Sequence, residues 1–421
     1  MSTQAHRATA DAIAEAVAAE RAAIVARLIR LTNDWTLAED CVQDAVERAL
    51  RQWPSEGIPR SPAAWLTTVA RHRALDVLRR RQNERTKLQQ LAIMQEPDAA
   101  PHPNDPMSDD RLRLIFTCCH PAIALDNRVA LTLKTVAGLR TAEIARALLV
   151  SESTLSQRLL RTKQKIANAA IPYRVPPDDL LAERTGGVLA VLYLIFNEGY
   201  RQQDDYLATE ARRLSSLLVE LMPEEDEARA LLALITFQLA RRAARFDPAG
   251  DLVPIEEQDR RLWDEVLIDD GLEHLRRANA SRRPSGPYRL QAQIAACHAT
   301  AADAPTTPWG NIVTLYDALL AVQPSPVIML NRAIAIGFRD GYGAGLAELD
   351  ALESISQLAG YYLLPAARAD FLRRLGRDDE AHRAYETAAR LAPADGPEQR
   401  LLRRRVTELT GPHQTGPGPI P

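Results

Sequence analysis

The chain has 421 residues, 46% hydrophobic and 5% aromatic, with 52 Lys and Arg against 55 Asp and Glu for a net charge of −3. This is apolar material for two to four packed domains, and no apolar run approaches the roughly 18 residues of a membrane span. The opening residues MSTQAHRATADAIAEAV and the four scattered cysteines, Cys41, Cys118, Cys119 and Cys297, fit neither a signal peptide nor a disulfide framework, so a soluble cytoplasmic protein is expected.

The net charge hides an asymmetry. Residues 1–170 carry 24 Lys and Arg against 19 Asp and Glu, and the remainder carries 28 against 36. A basic front and an acidic back point to nucleic acid as a partner of the front alone. Ordinary drift of charge between two halves is the competing reading.

The first block, 8–87, reads as helices over Ala8–Asn33, Leu37–Gln52 and Ala63–Arg85. Pro54, Gly57, Pro59 and Pro62 mark the loop before the third, with Pro62 in its first turn after Ser61 as cap. In the second helix Val42, Val46 and Ala49 form an inner stripe, while Glu39, Asp40, Gln43, Asp44 and Glu47 make an acidic outer face. Such a face suits a basic protein partner or plain solvation. The third helix is rich in arginine: Arg71, Arg73, Arg79, Arg80, Arg81 and Arg85, with Lys87. Phosphate contacts from such residues give salt-sensitive affinity; a solvated face is the alternative.

Segment 88–107 turns to Pro, Asp and Ala and reads as a flexible linker. Block two, 108–170, opens with a helix over Asp109–Ile123. It continues into LRTAEIARALLVSESTLSQRLLRTKQKI at 139–166. There Ile144, Ala145 and Leu148 line a first helix, Val150 fills a turn, Ser151 caps a second helix, and Leu155, Leu159 and Ile166 repeat at helical spacing. Ser153, Thr154, Ser156, Gln157, Leu160, Arg161 and Lys163 complete that second helix. A helix burying one side and offering Ser, Gln and Arg on the other suits the DNA major groove.

The remainder, from 185 to 410, reads as paired helices. Ala366–Pro393 places Ala369, Gly376, Ala381, Tyr385, Ala388 and Pro393 at tetratricopeptide (TPR) spacing. A weaker echo runs over Pro326–Leu352. The tail 411–421, GPHQTGPGPIP, is expected to be disordered.

Together, LAEDCVQDAVERALRQW, SPAAWLTTVARHRALDVLRR, the linker and the helix-turn-helix resemble a bacterial RNA polymerase sigma factor. They are similar to the extracytoplasmic-function (ECF) class of the sigma-70 family, which keeps conserved regions 2 and 4. The resemblance covers about residues 10–170. YLIFNEGY at 193–200, FTCCHP at 116–121 and the TPR-like pair resemble the subgroup with a long C-terminal extension.

The resemblance implies an all-α fold: a region 2 bundle, a region 4 helix-turn-helix domain and a TPR-like extension. It assigns Glu39, Asp40, Gln43 and Asp44 to the clamp of the polymerase β′ subunit, with the β flap as a second core contact. It assigns Arg60, Ser61, Trp65, Arg71, His72, Arg73, Arg79 and Arg80 to the −10 promoter element. The loop at 54–62 would capture a flipped base, at an unstacking cost of roughly a few kcal/mol. Trp65 reads equally as core. Ser153, Thr154, Ser156, Gln157, Leu160, Arg161 and Lys163 fall to the −35 element, where Leu160 could meet a thymine methyl. The extension would bind the rest of the chain or a protein partner.

Three departures stand out. Leu149 occupies the usual turn glycine, so the turn lacks a residue that enters positive φ cheaply. Ser156-Gln157 replaces a frequent basic position, and His72 a frequent Asn, so neither promoter element follows from the common pattern. Cys118, Cys119 and His120 invite a metal or redox reading, but adjacent helical residues point about 100° apart, which favours core or helix-end packing. No phosphate loop or hydrolase motif occurs, and no catalytic residue, cofactor or metal is expected. The expected function is promoter-specific transcription initiation. A polymerase-independent helix-turn-helix regulator and a TPR scaffold are the alternatives.

Overall fold

A computed structural model describes residues 20–32, 34–89, 110–169, 171–202 and 205–410. The expected linker beyond Gln89 and the tail at 411–421 lie outside the described residues, as do residues 8–19 and 33 of the first expected helix. Within the described residues the fold is all-α, with a lone antiparallel bridge between Phe246 and Leu252. Its contacts divide it into two units, Met1–Leu221 and Met222–Pro421.

Unit 1 begins with α1 (20–32), α2 (Trp35–Glu56) and α3 (Pro62–Gln89). Asp34 caps α2 by accepting from the Leu37 amide at 3.0 Å. Ala38, Val42, Ala45 and Ala49 then repeat on its buried side, so short side chains let α3 pack closely against it. The helix runs four residues beyond its expected end, through Pro54. A proline so near a C-terminus forfeits few intrahelical bonds, and Gly57, at φ +91°, closes the helix by donating to the Trp53 carbonyl.

The second part of unit 1 comprises α4 (Asp110–Cys118), α5 (Leu125–Thr135), α6 (Thr141–Ala147), α7 (Glu152–Asn168), α8 (Asp178–Gln202) and α9 (Asp205–Leu221). The last two were expected in the extension. Of these, α8 contacts α4, α5 and α6, because Val188, Leu192 and Ile195 form an apolar stripe that must be covered.

Unit 2 strings together α10 (Asp226–Ala240), α11 (Glu265–Asn279), α12 (Pro287–Ala299), α13 (Trp309–Val322), α14 (Pro326–Asp340), α15 (Tyr342–Leu352), α16 (Leu363–Arg374), α17 (Asp378–Leu391) and α18 (Pro397–Thr410). Most packing is between neighbours in sequence, the habit of helical repeats. The expected pair is α16 and α17. Gly376, at φ +72°, and Arg377 donate back to the Arg373 and Leu372 carbonyls, and Ala369, Ala381 and Ala388 are fully buried where the helices meet.

Candidate nucleic-acid interface

The second helix of the helix-turn-helix, α7, is built by local rules. Ser151 caps it, its hydroxyl accepting from the Thr154 amide at 3.1 Å. Leu155, Leu159 and Ile166 are buried against the neighbouring helices. Ser153, Thr154, Ser156, Gln157 and Arg161 are exposed, and Leu160 is 54% exposed. Among the described residues, the side chains of Ser156, Gln157 and Arg161 make no hydrogen bond. The turn before α7 holds Leu149 at φ +51°, a left-handed conformation costing a leucine about 1–2 kcal/mol. The expected difficulty at this position is thus met by strain and not by a different turn.

On α3, Arg71, His72, Arg79 and Arg80 are exposed, as are Arg60 and Ser61 in the preceding loop. Arg73 instead donates to Asp44 at 2.6 Å, with both side chains 45% exposed. Trp65 is half-buried, its ring edge-on to Trp53 with centroids 5.4 Å apart. The side chains of Arg81, Arg85 and Lys87 lie outside the described residues.

On α2, Asp40 and Gln43 are exposed. Partial burial, then the neighbouring Glu39 and Asp44, push the Asp40 carboxyl above its ordinary range. Glu39 and Lys163 do not sit on the faces expected of them. The Lys163 ammonium donates to Glu39 at 2.7 Å, and the two side chains are 13–15% exposed. Lys163 lies four residues after Leu159 and three before Ile166, so it shares the flank of the buried stripe.

This pair belongs to a polar seam between α1–α2 and the helices after α3. The Thr135 hydroxyl donates to Glu39 at 3.3 Å. Arg21 donates to the Lys134 and Thr135 carbonyls at 3.1 and 3.4 Å, placing a cation at the negative end of α5. Burial lowers the Arg21 and Lys134 pKa values, while Glu39 opposes this. Gly138, at φ +81°, lies under Arg21 where any Cβ would crowd the guanidinium stem. The Tyr173 hydroxyl lies 3.1 Å from the carbonyls of Ala26 and Asp110. Arg30 and Asp110 approach to 3.4 Å.

Two family models fall on these same elements: Sigma-70 region 2 matches residues 16–84 and Sigma-70 region 4 matches 113–166. A "Probable ECF RNA polymerase sigma factor SigI" of Mycobacterium tuberculosis is 29% identical over 171 residues, covering 40% of this chain and 58% of that protein. The chain belongs to the sigma-70 family, in its ECF class. A family of unknown function matches residues 184–279 of this sigma factor. An uncharacterized protein, R00370, of Rhizobium meliloti is 40% identical over 94% of the chain and 95% of its own length. The sigma factor therefore has a relative sharing its C-terminal extension as well as its promoter-binding regions.

The sequence reading missed Arg21, Lys134, Thr135 and Tyr173. Only Lys163 carried a sequence signal, its register beside Leu159 and Ile166. The cysteines adjoining the site pack as the sequence favoured: Cys118 and Cys119 are buried, and the Cys119 thiol lies 3.6 Å from the Thr132 hydroxyl. Burial pushes the Cys119 thiol up to about 11. Among the described residues no helix is long and apolar enough to cross a membrane.

Proposed function

We propose that this sigma factor binds core polymerase through the acidic face of α2, with Asp40 and Gln43 reaching the β′ clamp and α7's domain reaching the β flap. It reads −10 DNA with Arg60, Ser61, Arg71, His72, Arg79 and Arg80. It reads −35 DNA with Ser153, Thr154, Ser156, Gln157, Leu160 and Arg161. It does so in the cytoplasm, as a dissociable subunit performing no chemistry of its own. The observation carrying this reading is the outer stripe of α7, solvent-exposed behind a buried leucine stripe. Run-off transcription with core enzyme tests it: start sites should appear with the chain and vanish without it, and absence of any genomic start site overturns the reading.

The seam adds an opening step. The elements at −10 and −35 lie about 25 base pairs apart, or about 85 Å at 3.4 Å per pair. A compact unit of some 200 residues is only roughly 40 Å across. With Glu39 held by Lys163, one unit cannot span both elements, so the two regions part before the promoter is engaged. Arg21→Ala and Tyr173→Phe loosen the seam away from both assigned interfaces, and should raise core affinity several-fold. Unchanged affinity in both variants argues against the opening step. The extension is proposed to regulate initiation. Removing 222–421, while keeping the helices that pack on α4–α6, should change transcript yield.

A further inference from the structure

Unit 2 contains a cavity of about 380 Å³, within the range of small-molecule sites. Its wall draws on the segment before α11 and on α12, α13, α14, α16, α17 and α18. The packing that creates it is specific. A Cβ on Gly337 or Gly345 would overlap Phe371, so two glycines let that ring lie against α14 and α15. Trp309 stacks on Phe338 with centroids 4.4 Å apart and planes 11° apart, and Phe338 meets Phe371 edge-on at 6.0 Å. Leu363, 36% exposed, also lines the cavity, which therefore communicates with solvent.

Three properties narrow the occupant. The first is size. About 380 Å³ lies in the range that takes a small molecule of one or two rings. The second is charge. Each lining carboxylate already has a guanidinium: Glu256 with Arg374 at 3.2 Å, Asp370 with Arg373 and Arg374 at 2.6 Å each, and Glu257 with Arg405. No lining carboxylate is left unpaired to recognise a cation, and an ion entering an apolar site would lose its hydration uncompensated. The third is the polar edge. The Asn331 amide and the His298 ring line the cavity and make no hydrogen bond among the described residues. The His298 ring stands edge-on to Trp309 at 5.3 Å. An amide and a neutral imidazole each offer one donor and one acceptor function.

We propose that this cavity binds a neutral aromatic small molecule carrying a hydrogen-bond donor and acceptor on one edge, with its ring among Trp309, Phe338 and Phe371 and its polar edge on Asn331 and His298. The site is independent of the DNA-reading helices, so it stands or falls apart from the promoter reading.

The probe is 2-quinolone, a neutral bicyclic lactam, titrated calorimetrically into the full-length chain. Quinoline-2-carboxylate and 2-naphthylmethylammonium serve as anionic and cationic counterparts. The lactam should bind with a Kd below about 1 mM, and the charged counterparts at least ten-fold more weakly. Asn331→Leu should weaken the lactam at least ten-fold with the melting temperature retained, and Ala367→Trp should fill the cavity and abolish binding. Trp309→Phe should remove the lactam-induced change in tryptophan emission. Absence of saturable lactam binding in the millimolar range overturns the proposal. So does equal binding by the charged probes, by Asn331→Leu or by a folded Ala367→Trp, or an emission change that survives in Trp309→Phe.

Discussion

The two units use charge in opposite ways. In unit 2 acidic residues share arginines in twos: Arg332 bridges Asp317 and Glu348, Arg368 bridges Asp350 and Glu353, and Arg404 reaches Asp247 and Asp251. In unit 1 a carboxylate and an ammonium 124 residues apart in sequence close a seam, and other arginines are left to solvent. Such pairing leaves the acidic excess of the back half in place, with 36 Asp and Glu against 28 Lys and Arg, because each of these arginines serves two carboxylates. Net charge counts residues, whereas recognition depends on the charges left unpaired.

The sharpest way to break this contrast is to attack the packing that unit 2 relies on. Gly337→Val forces a branched side chain into Phe371 and should cost about 3 kcal/mol or more, read as a lowered melting temperature. A drop under about 1 kcal/mol means the helices can separate freely. In unit 1, Lys163→Met strands Glu39 in the seam, which should cost about 3 kcal/mol. Hydrogen exchange should then accelerate over 20–32, and unaltered protection there would show that the seam does not depend on the pair.

Smaller effects sharpen the comparison. Arg161→Ala should weaken promoter binding by about 1–3 kcal/mol and relax base preference if the guanidinium reads a base. If it touches phosphate, all sequences suffer alike and the salt slope falls by about one. Unchanged binding at low salt removes Arg161 from the interface. Next comes pH. Burial, then Arg241 and Arg260, lower the His298 pKa to about 4 from an ordinary 6.5. The neutral ring belongs to the folded state, so its contribution is intact above pH 6.5. It is lost as pH falls from 6.5 towards 4, at up to about 1.4 kcal/mol per pH unit. His298→Phe should flatten that part of the stability profile of unit 2; an unchanged slope points to other groups. Last, Leu149→Gly should relieve the left-handed leucine and stabilise unit 1 by about 1 kcal/mol, visible as a rise of a few degrees in melting temperature. A fall would mean the exposed leucine side chain contributes more than its backbone costs.

What was legible in the sequence was local. The Ser151 cap, the stripe of Leu155, Leu159 and Ile166, and the turn at Gly376 rest on spacings of a few residues, which a sequence displays directly. The arginine face of α3 was visible for the same reason. The seam was not, because nothing near Glu39 in sequence announces Lys163, Thr135 or Arg21. An acidic helix face looks the same whether it meets solvent, polymerase or another part of its own chain. The packing of the extension's first helix was hidden for a related reason. The prolines at 172–177 interrupt helix formation and look like a border, yet the apolar stripe of α8 finds its cover on the far side of them. The α16–α17 pair was readable from its small residues, but the cavity beside it was not, since it gathers side chains from six helices and the loop before α11.

The cysteines supply a clock for these motions. Cys41, Cys118 and Cys119 are buried in unit 1, and Cys297 is half-buried in unit 2. Burial holds all four thiols protonated at neutral pH, and the thiol form is a poor nucleophile. Alkylation of Cys41, Cys118 and Cys119 must therefore wait for the packing around them to open, with half-buried Cys297 as the faster reference. Timed labelling followed by peptide mass measurement would report when each half of the molecule breathes, without adding a single foreign residue.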